Sequence, residues 1–410
     1  NSLDHKYEKS DLLQRLRLDT INDPSLYDTL CQGIEPELQE ASIKKSIINI
    51  RLSIHNHFRE QKISELLRKA NYEFSHQKEK IKDTKEWLSN LIGQLEPFQV
   101  DQRTKDPAVV SEIDLTDNDS TAKVFEQIQD NRKGTGILKT GWKGINRMLQ
   151  GGFSRGDTVV VGALQHKFKT GFTLTLFKQI ALYNKPYMIN PEKKPLLVRI
   201  SFEDDITTNL KFLYKSLYEN ETGQKVSYDG LTSKDIAKYV EDKLSVNGYH
   251  IKLLRIDPTQ YSYLQIINKM LEYEAEGYEI HLLMIDYLAM IPTTGCITTG
   301  PMGNDIRDLY RRIRNFASPR GIAVISPHQL STEAKQMIRD GRQNFVKEIA
   351  EKGYYDKCRT IDNEVDLEIY IHIEKVNRKS YLTVQRGKHR GADIIDDRSK
   401  YIVLPFTNIT

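Results

Sequence analysis

From about residue 135 onward the chain alternates between short apolar runs and longer amphipathic stretches. The runs are "DTVVVGAL", "LLVRISF", "HIKLLRI", "IHLLMID" and "GIAVISP", and the stretches between them include "TNLKFLYKSLYEN", "YLQIINKMLEYEAEG" and "NDIRDLYRRIRNFA". Near-continuous apolar strands joined by helices predict an α/β fold with a mostly parallel sheet covered on both faces. Three later runs, "VDLEIYIHI", "YLTVQR" and "KYIVLPF", have no helices between them and predict an antiparallel extension. No internal repeat stands out.

The first hundred residues carry a helical period. Ile43, Ile47, Ile50 and Ile54 recur at steps of three and four, followed by Ile63, Leu66, Leu67 and Ala70, and then by Trp87, Leu88, Leu91, Ile92 and Leu95. They predict a small all-α N-terminal domain over residues 1–100. His55 and His57 are two apart and cannot share a helix face, so they read as solvated or packing residues. Residues 101–134 are polar and acidic, include Pro107, and read as a linker. Within it, "STAKVFEQIQDNR" predicts a short helix whose Val124, Phe125 and Ile128 would dock on its own domain or on a neighbouring chain. Residues 135–410 form the second domain.

Composition narrows the class. The formal net charge of the 410 residues is only +4, so any nucleic-acid surface must be local. Cys31, Cys296 and Cys358 are far apart, which excludes a cysteine-based zinc site and fits a reducing, cytoplasmic compartment without a disulfide framework. No apolar run approaches the roughly 18–20 residues of a membrane helix, so no membrane association is expected. The chain starts at Asn1, which leaves room for a trimmed N-terminal segment.

Candidate chemistry gathers at strand ends. "GALQHKFKT" follows the first strand and resembles a phosphate-binding loop, G-x-x-x-x-G-K-[ST]. In that register Gly162, Gln165, His166, Lys167, Phe168 and Gly171 line the loop. Lys169 would reach the β- and γ-phosphates of ATP, and the Thr170 hydroxyl would hold Mg²⁺. Phe168 stands where glycine is usual, so its ring must point away from the phosphates. Asp286 ends "HLLMIDYL" as a metal-linked carboxylate, and Glu203 ends "LLVRISFEDD" as a base for water. Ser326, His328 and Gln329 end a third strand as groups that could sense the γ-phosphate. Ligands of such sheets bind beyond the carboxyl ends of the strands. In "QRGKHRG", Lys388 and Arg390 form either a solvated hairpin or a finger directed at a phosphate.

Over roughly residues 135–406 these motifs resemble the replicative hexameric DNA helicases of the DnaB type, whose motor domain is RecA-like. "TGWKGINRMLQGGFSRGDTVVVGAL" is similar to the lead-in to that motor, "ISFEDD" to its second-strand motif, "LLMIDYLAMI" to its aspartate strand, "SPHQLS" to its sensor strand and "KHRG" to its finger. The resemblance implies roles for Glu203 as catalytic glutamate, Asp286 as metal-linked acid, Gln329 as sensor, and Lys388 and Arg390 as the finger pair. It implies a RecA-like P-loop domain using ATP and Mg²⁺ in a homo-hexamer on single-stranded DNA, moving 5′ to 3′, and a divergent, phage-encoded member is expected. Phe168 departs from the family pattern and bears on ATPase rate more than on fold. The family's N-terminal region forms a collar and meets primase, which makes primase or a helicase loader the implied partner.

Two basic segments could face DNA. "IPTTGCITTGPMGNDIRDLYRRIR" reads as a mobile loop leading into a helix with Arg307, Arg311, Arg312 and Arg314. Residues 335–355 carry Lys335, Arg339, Arg342, Lys347 and Lys352, and the resemblance singles out Arg339, Arg342 and Lys347. Rival readings are a filament-forming RecA-fold recombinase and a nucleotide-binding ring or loader with little hydrolysis.

Overall fold

The structure is a computed structural model that describes residues 40–81, 83–95, 136–227, 230–340, 344–393 and 395–407, with a few positions between 115 and 125. Cys31, Val124, Ile128 and Arg342, and the side chains of Ile43, Ile47, Ile50, Ile54 and His55, lie outside the described set. The chain divides into two compact units, Asn1–Val110 and Ser111–Thr410.

In the first unit, helix α1 (Glu40–His76) is followed by α2 (Thr84–Leu95). Phe74 and Trp87 pack with ring centroids 5.4 Å apart, and the Trp87 indole donates to Glu73 at 3.0 Å. Ala70 is buried on this seam, but Leu67 and Leu88 are 50% and 48% exposed. Two helices in contact cover only a narrow stripe of each other, so Leu67, Leu88 and Ile92 do not enter a core among the described residues.

From residue 136 the second unit runs through β1 (Ile137–Leu138), α3 (Lys143–Met148) and β2 (Phe153–Ser154), which sequence reasoning had not separated. The main sheet then builds from β3 (Thr158–Ala163), α4 (Lys169–Tyr183), β4 (Lys194–Ser201), α5 (Ile206–Thr222), α6 (Ser233–Leu244), β5 (His250–Arg255), α7 (Tyr263–Ala275), β6 (Tyr278–Asp286), α8 (Asn304–Ala317) and β7 (Ala323–Gln329). After α9 (Thr332–Arg339) and α10 (Phe345–Ile349) come β8 (Leu367–Val376), β9 (Lys379–His389) and β10 (Tyr401–Pro405). The spatial order is β10-β9-β8-β3-β7-β6-β4-β5.

Strands β3 to β7 pair in parallel, and all of them except the edge strand β5 are largely buried and apolar. The antiparallel extension starts one strand later than expected. β8 pairs parallel with β3, and the antiparallel pairings are those of β9 with β8 and of β10 with β9. Residues between β7 and β8 provide the crossover that a parallel strand needs, although they hold only short helices. Alternate residues of β3 feed two apolar layers. Val160 packs with Ile266 and Leu309 of α7 and α8 on one face, and Val159 and Val161 pack with Phe177 of α4 on the other. At the amino edge, the buried pair Arg155–Glu279 closes at 2.7 Å, and Arg155 also donates to the Gly321 carbonyl.

His328 and His372 lie on the two strands that flank β3, and burial pushes both imidazoles down to about 4. The unfolded chain protonates its histidines near 6.5, so between pH 6.5 and pH 4 it takes up protons that the native state refuses. This stabilisation is complete above 6.5 and is lost as pH falls toward 4. Thermal melting should drop by about 5 °C or more from pH 7.5 to pH 5, and the His328→Gln variant should show a shallower drop. A flat or rising melting temperature over that range would contradict the buried, neutral imidazoles.

Candidate nucleotide site at the carboxyl edge of the sheet

The loop between β3 and α4 takes two left-handed turns without glycine. His166 has φ 58°, and Phe168, the residue that caps α4, has φ 66° and ψ 23°. Each such residue with a β-carbon costs about 1–2 kcal/mol. The glycine position of a phosphate loop is thus kept in backbone shape while its side chain is replaced. The Phe168 ring packs against Phe406 at 4.9 Å and Phe212 at 6.5 Å, and is partly buried against the apolar layer under α4. A β-carbon on Gly171 would meet that ring at 2.1 Å, so Gly171 is the space into which Phe168 folds. The first-turn N–H groups of α4 lack intrahelical partners by geometry, and the helix dipole favours an anion there.

Adjacent strands bring the other groups to this edge. Ala163 pairs in register with Gln329, and Ser201 with Asp286. Phe202 donates its N–H to the Asp286 carbonyl at 3.1 Å, which places Glu203 one residue beyond. The Asp286–Tyr287 peptide is cis. Burial pushes the Lys169 amine down from its ordinary value, and the carboxylates of Asp286, Glu203 and Asp356 pull it back up. The amine also lies 5.5 Å from the Tyr287 ring centroid. Lys169, Asp286 and Glu203, scattered in sequence, are thus brought to the same edge of the sheet. Gln165 and His166 are exposed at the loop tip, and Lys167 and Thr170 are partly exposed.

No group of three or more His, Cys, Asp or Glu that could hold a metal occurs among the described residues. The two residues proposed to hold a metal at this edge offer one hydroxyl, Thr170, and one carboxylate, Asp286. That set fits Mg²⁺, which is held by one or two carboxylates with phosphate oxygens and water rather than by an all-protein cage.

Several sequence expectations are corrected. Gly162 lies inside β3, not in the loop, and its missing β-carbon makes room for the Tyr355 and Tyr370 rings. Ser326 accepts the Leu288 N–H at 2.9 Å, and His328 is hydrogen-bonded to the Asp356 carbonyl at 2.9 Å, so both are committed inside the fold. Of that trio only Gln329 is partly exposed at the strand tip.

Lys388 and Arg390 are not with the loop of their own chain. β9 runs antiparallel, so its end returns to the amino edge, where the Arg390 N–H donates to the Asp366 carbonyl. The Arg390 guanidinium is 3.3 Å from the Asp366 carboxylate, and the Lys388 amine donates to the Asp362 carbonyl. Thr158, the partner of Asp366, is five residue steps from the loop end of β3, about 17 Å at about 3.3 Å per residue.

The arginines of α8 are also committed. Arg307 and Arg311 pair with Glu364, Arg312 with Asp308, and Arg314 with Asp366. The stretch before α8, expected as a mobile loop, is tied to it. Thr293 donates to Asp305 at 2.8 Å, and Ile297 N–H donates to Asp308 at 3.0 Å. Arg339 is exposed, and Lys347 sits 4.0 Å over the Tyr401 ring.

Two groups escaped sequence reasoning. Asp356 follows Tyr355, which bridges to Leu330 beside β7, and no pattern marks a lone acid in a loop. Arg199 lies inside an apolar strand, is 1% exposed, and pairs with Asp286 at 2.7 Å. A charge in such a run must find a partner, and that was a readable signal.

The model of the family "Divergent DnaB-like ATPase" matches residues 83–410. No curated protein matches the chain. Among solved structures, one described as an ATPase domain is similar at 17% identity and TM-score 0.52, covering 72% of this chain and 96% of that one. "The Structure Of A DnaB-Like Replicative Helicase And Its Interactions With Primase" is similar at 15% identity and TM-score 0.55, covering 96% of this chain and 85% of that one. At these identities the likeness is one of fold.

The Gly171→Ala substitution should destabilise the protein by about 1–3 kcal/mol, because it forces the Phe168 ring to move. Combining it with Phe168→Gly should recover most of that loss in a double-mutant cycle of denaturant melts. Strictly additive effects would contradict the contact.

Proposed function

Because the chain belongs to the divergent DnaB-like ATPase family, we propose that it is an ATP-driven replicative DNA helicase, acting as a hexameric ring that moves 5′ to 3′ on single-stranded DNA. The observation that carries this reading is the convergence of Lys169, at the N-terminus of α4, with Asp286 and Glu203, at the carboxyl ends of β6 and β4, on one edge of the sheet. The domain division at about residues 100 and 134, with the N-terminal helices receiving primase or a loader, belongs to the same proposal.

In this reading the loop N–H groups and Lys169 bind the triphosphate. Bound Mg²⁺, held by Thr170 and Asp286, would neutralise charge on the β- and γ-phosphates. Glu203 orients the attacking water and accepts its proton. Gln329, beside Ala163, senses the γ-phosphate and passes its state to the segment that carries Arg339, Arg342 and Lys347, which grip DNA phosphates. Arg390, with Lys388, completes the site of a neighbouring subunit. Its place at the amino edge supports action in trans, because its own loop lies at the far end of β3.

A second reading, a ring that binds nucleotide but turns it over slowly, is favoured by Phe168 at the left-handed loop position. Steady-state hydrolysis with single-stranded DNA decides between them. Lys169→Ala and Glu203→Gln should each lower the DNA-stimulated rate by about 100-fold or more, with Glu203→Gln still binding nucleotide. Equal, DNA-independent rates in wild type and Lys169→Ala would remove the motor reading. Binding without turnover in the wild type would establish the second.

A further inference from the structure

Strand β4 carries one charge among buried apolar neighbours. Val198 and Ile200 are fully buried in the sheet layers, and Arg199 between them is as deeply enclosed. Its Nη2 donates to Asp286 Oδ2 at 2.7 Å, and its Nη1 donates to the Thr173 hydroxyl at 3.2 Å. That hydroxyl donates in turn to the Thr170 carbonyl at 3.1 Å. The guanidinium therefore ties together both residues of the proposed metal position, Asp286 directly and Thr170 through Thr173. Its Nε has no hydrogen-bond partner, so the group is spent on this junction and is not absorbed by surrounding backbone.

We propose that Arg199 is a positioning residue that supplies Asp286, from inside the fold, with part of the counter-charge a bound metal ion would otherwise provide. The proposal rests on the nucleotide-site reading above. Five carboxylates, Asp286, Glu203, Asp204, Asp205 and Asp356, act on this edge, against the cations Lys169, Arg199 and Arg255. An uncompensated Asp286 would repel an incoming triphosphate until a divalent ion arrived. The buried guanidinium cancels that repulsion permanently and fixes which carboxylate oxygen stays open. A buried pair of this kind adds little stability compared with apolar packing, which fits a role in the site rather than in the core. Triphosphate binding should accordingly depend only weakly on magnesium.

Equilibrium binding of a fluorescent ATP analogue to the full chain, with Mg²⁺ and with EDTA, tests this. The wild-type Kd should rise by less than about fivefold in EDTA. In Arg199→Met the ratio of Kd in EDTA to Kd with Mg²⁺ should rise to about 30-fold or more, as the unscreened Asp286 charge requires, whereas Arg199→Lys should restore the wild-type ratio. A purely structural arginine would lower the melting temperature and leave the ratio unchanged. A wild-type loss of about a hundredfold in EDTA would overturn the proposal, as would equal ratios in wild type and Arg199→Met. If Arg199→Met does not fold, the wild-type ratio decides alone. Absence of binding in both conditions would instead sink the nucleotide-site reading itself.

Discussion

The Lys169 amine sits at the N-terminus of α4, where burial pushes its pKa down and the nearby carboxylates of Asp286, Glu203 and Asp356 push it back up. Everything proposed for this protein depends on that arrangement. A cation held among acids at a helix N-terminus can release them when a triphosphate arrives, because the phosphates offer it more negative charge. The sheet makes this possible. Parallel strands deliver their carboxyl ends to one edge, so residues far apart in sequence converge without long loops.

The same topology sends other chemistry elsewhere. β9 is antiparallel, so Lys388 and Arg390 arrive at the opposite edge, beside Asp366. A single chain therefore divides its cationic groups between two ends of one sheet. An assembly that sets one subunit's amino edge against the next subunit's carboxyl edge would join them. In the isolated chain Arg390 rests on Asp366, which Arg314 also engages.

Much of the fold was legible because its signals are local. Buried parallel strands read as apolar runs, and the helices between them read as amphipathic stretches. The parallel pairing of β8 was missed because its crossover has no long helix. At the site, Lys169, Thr170, Glu203 and Asp286 could be named from loop spacing and strand ends. Asp356 and the packing role of Gly162 could not, because both depend on what the chain between β7 and β8 brings back to the sheet. The basic helix α8 misled for a related reason. Its arginines look like a phosphate-binding stripe until Glu364 and Asp366, some fifty residues later, are placed against them. Phe168 was read as a side chain that must turn away from phosphates, and the structure packs its ring on Phe406 and Phe212 in the space left at Gly171.

The most direct measurement is an experimental structure of the chain with Mg²⁺ and a non-hydrolysable ATP analogue. The account requires the β- and γ-phosphates over the N-terminus of α4, within about 3 Å of the Lys169 amine, with Asp286 and Glu203 on the γ-phosphate side. An analogue bound elsewhere, or Lys169 still turned to the acids beside an occupied loop, would contradict it.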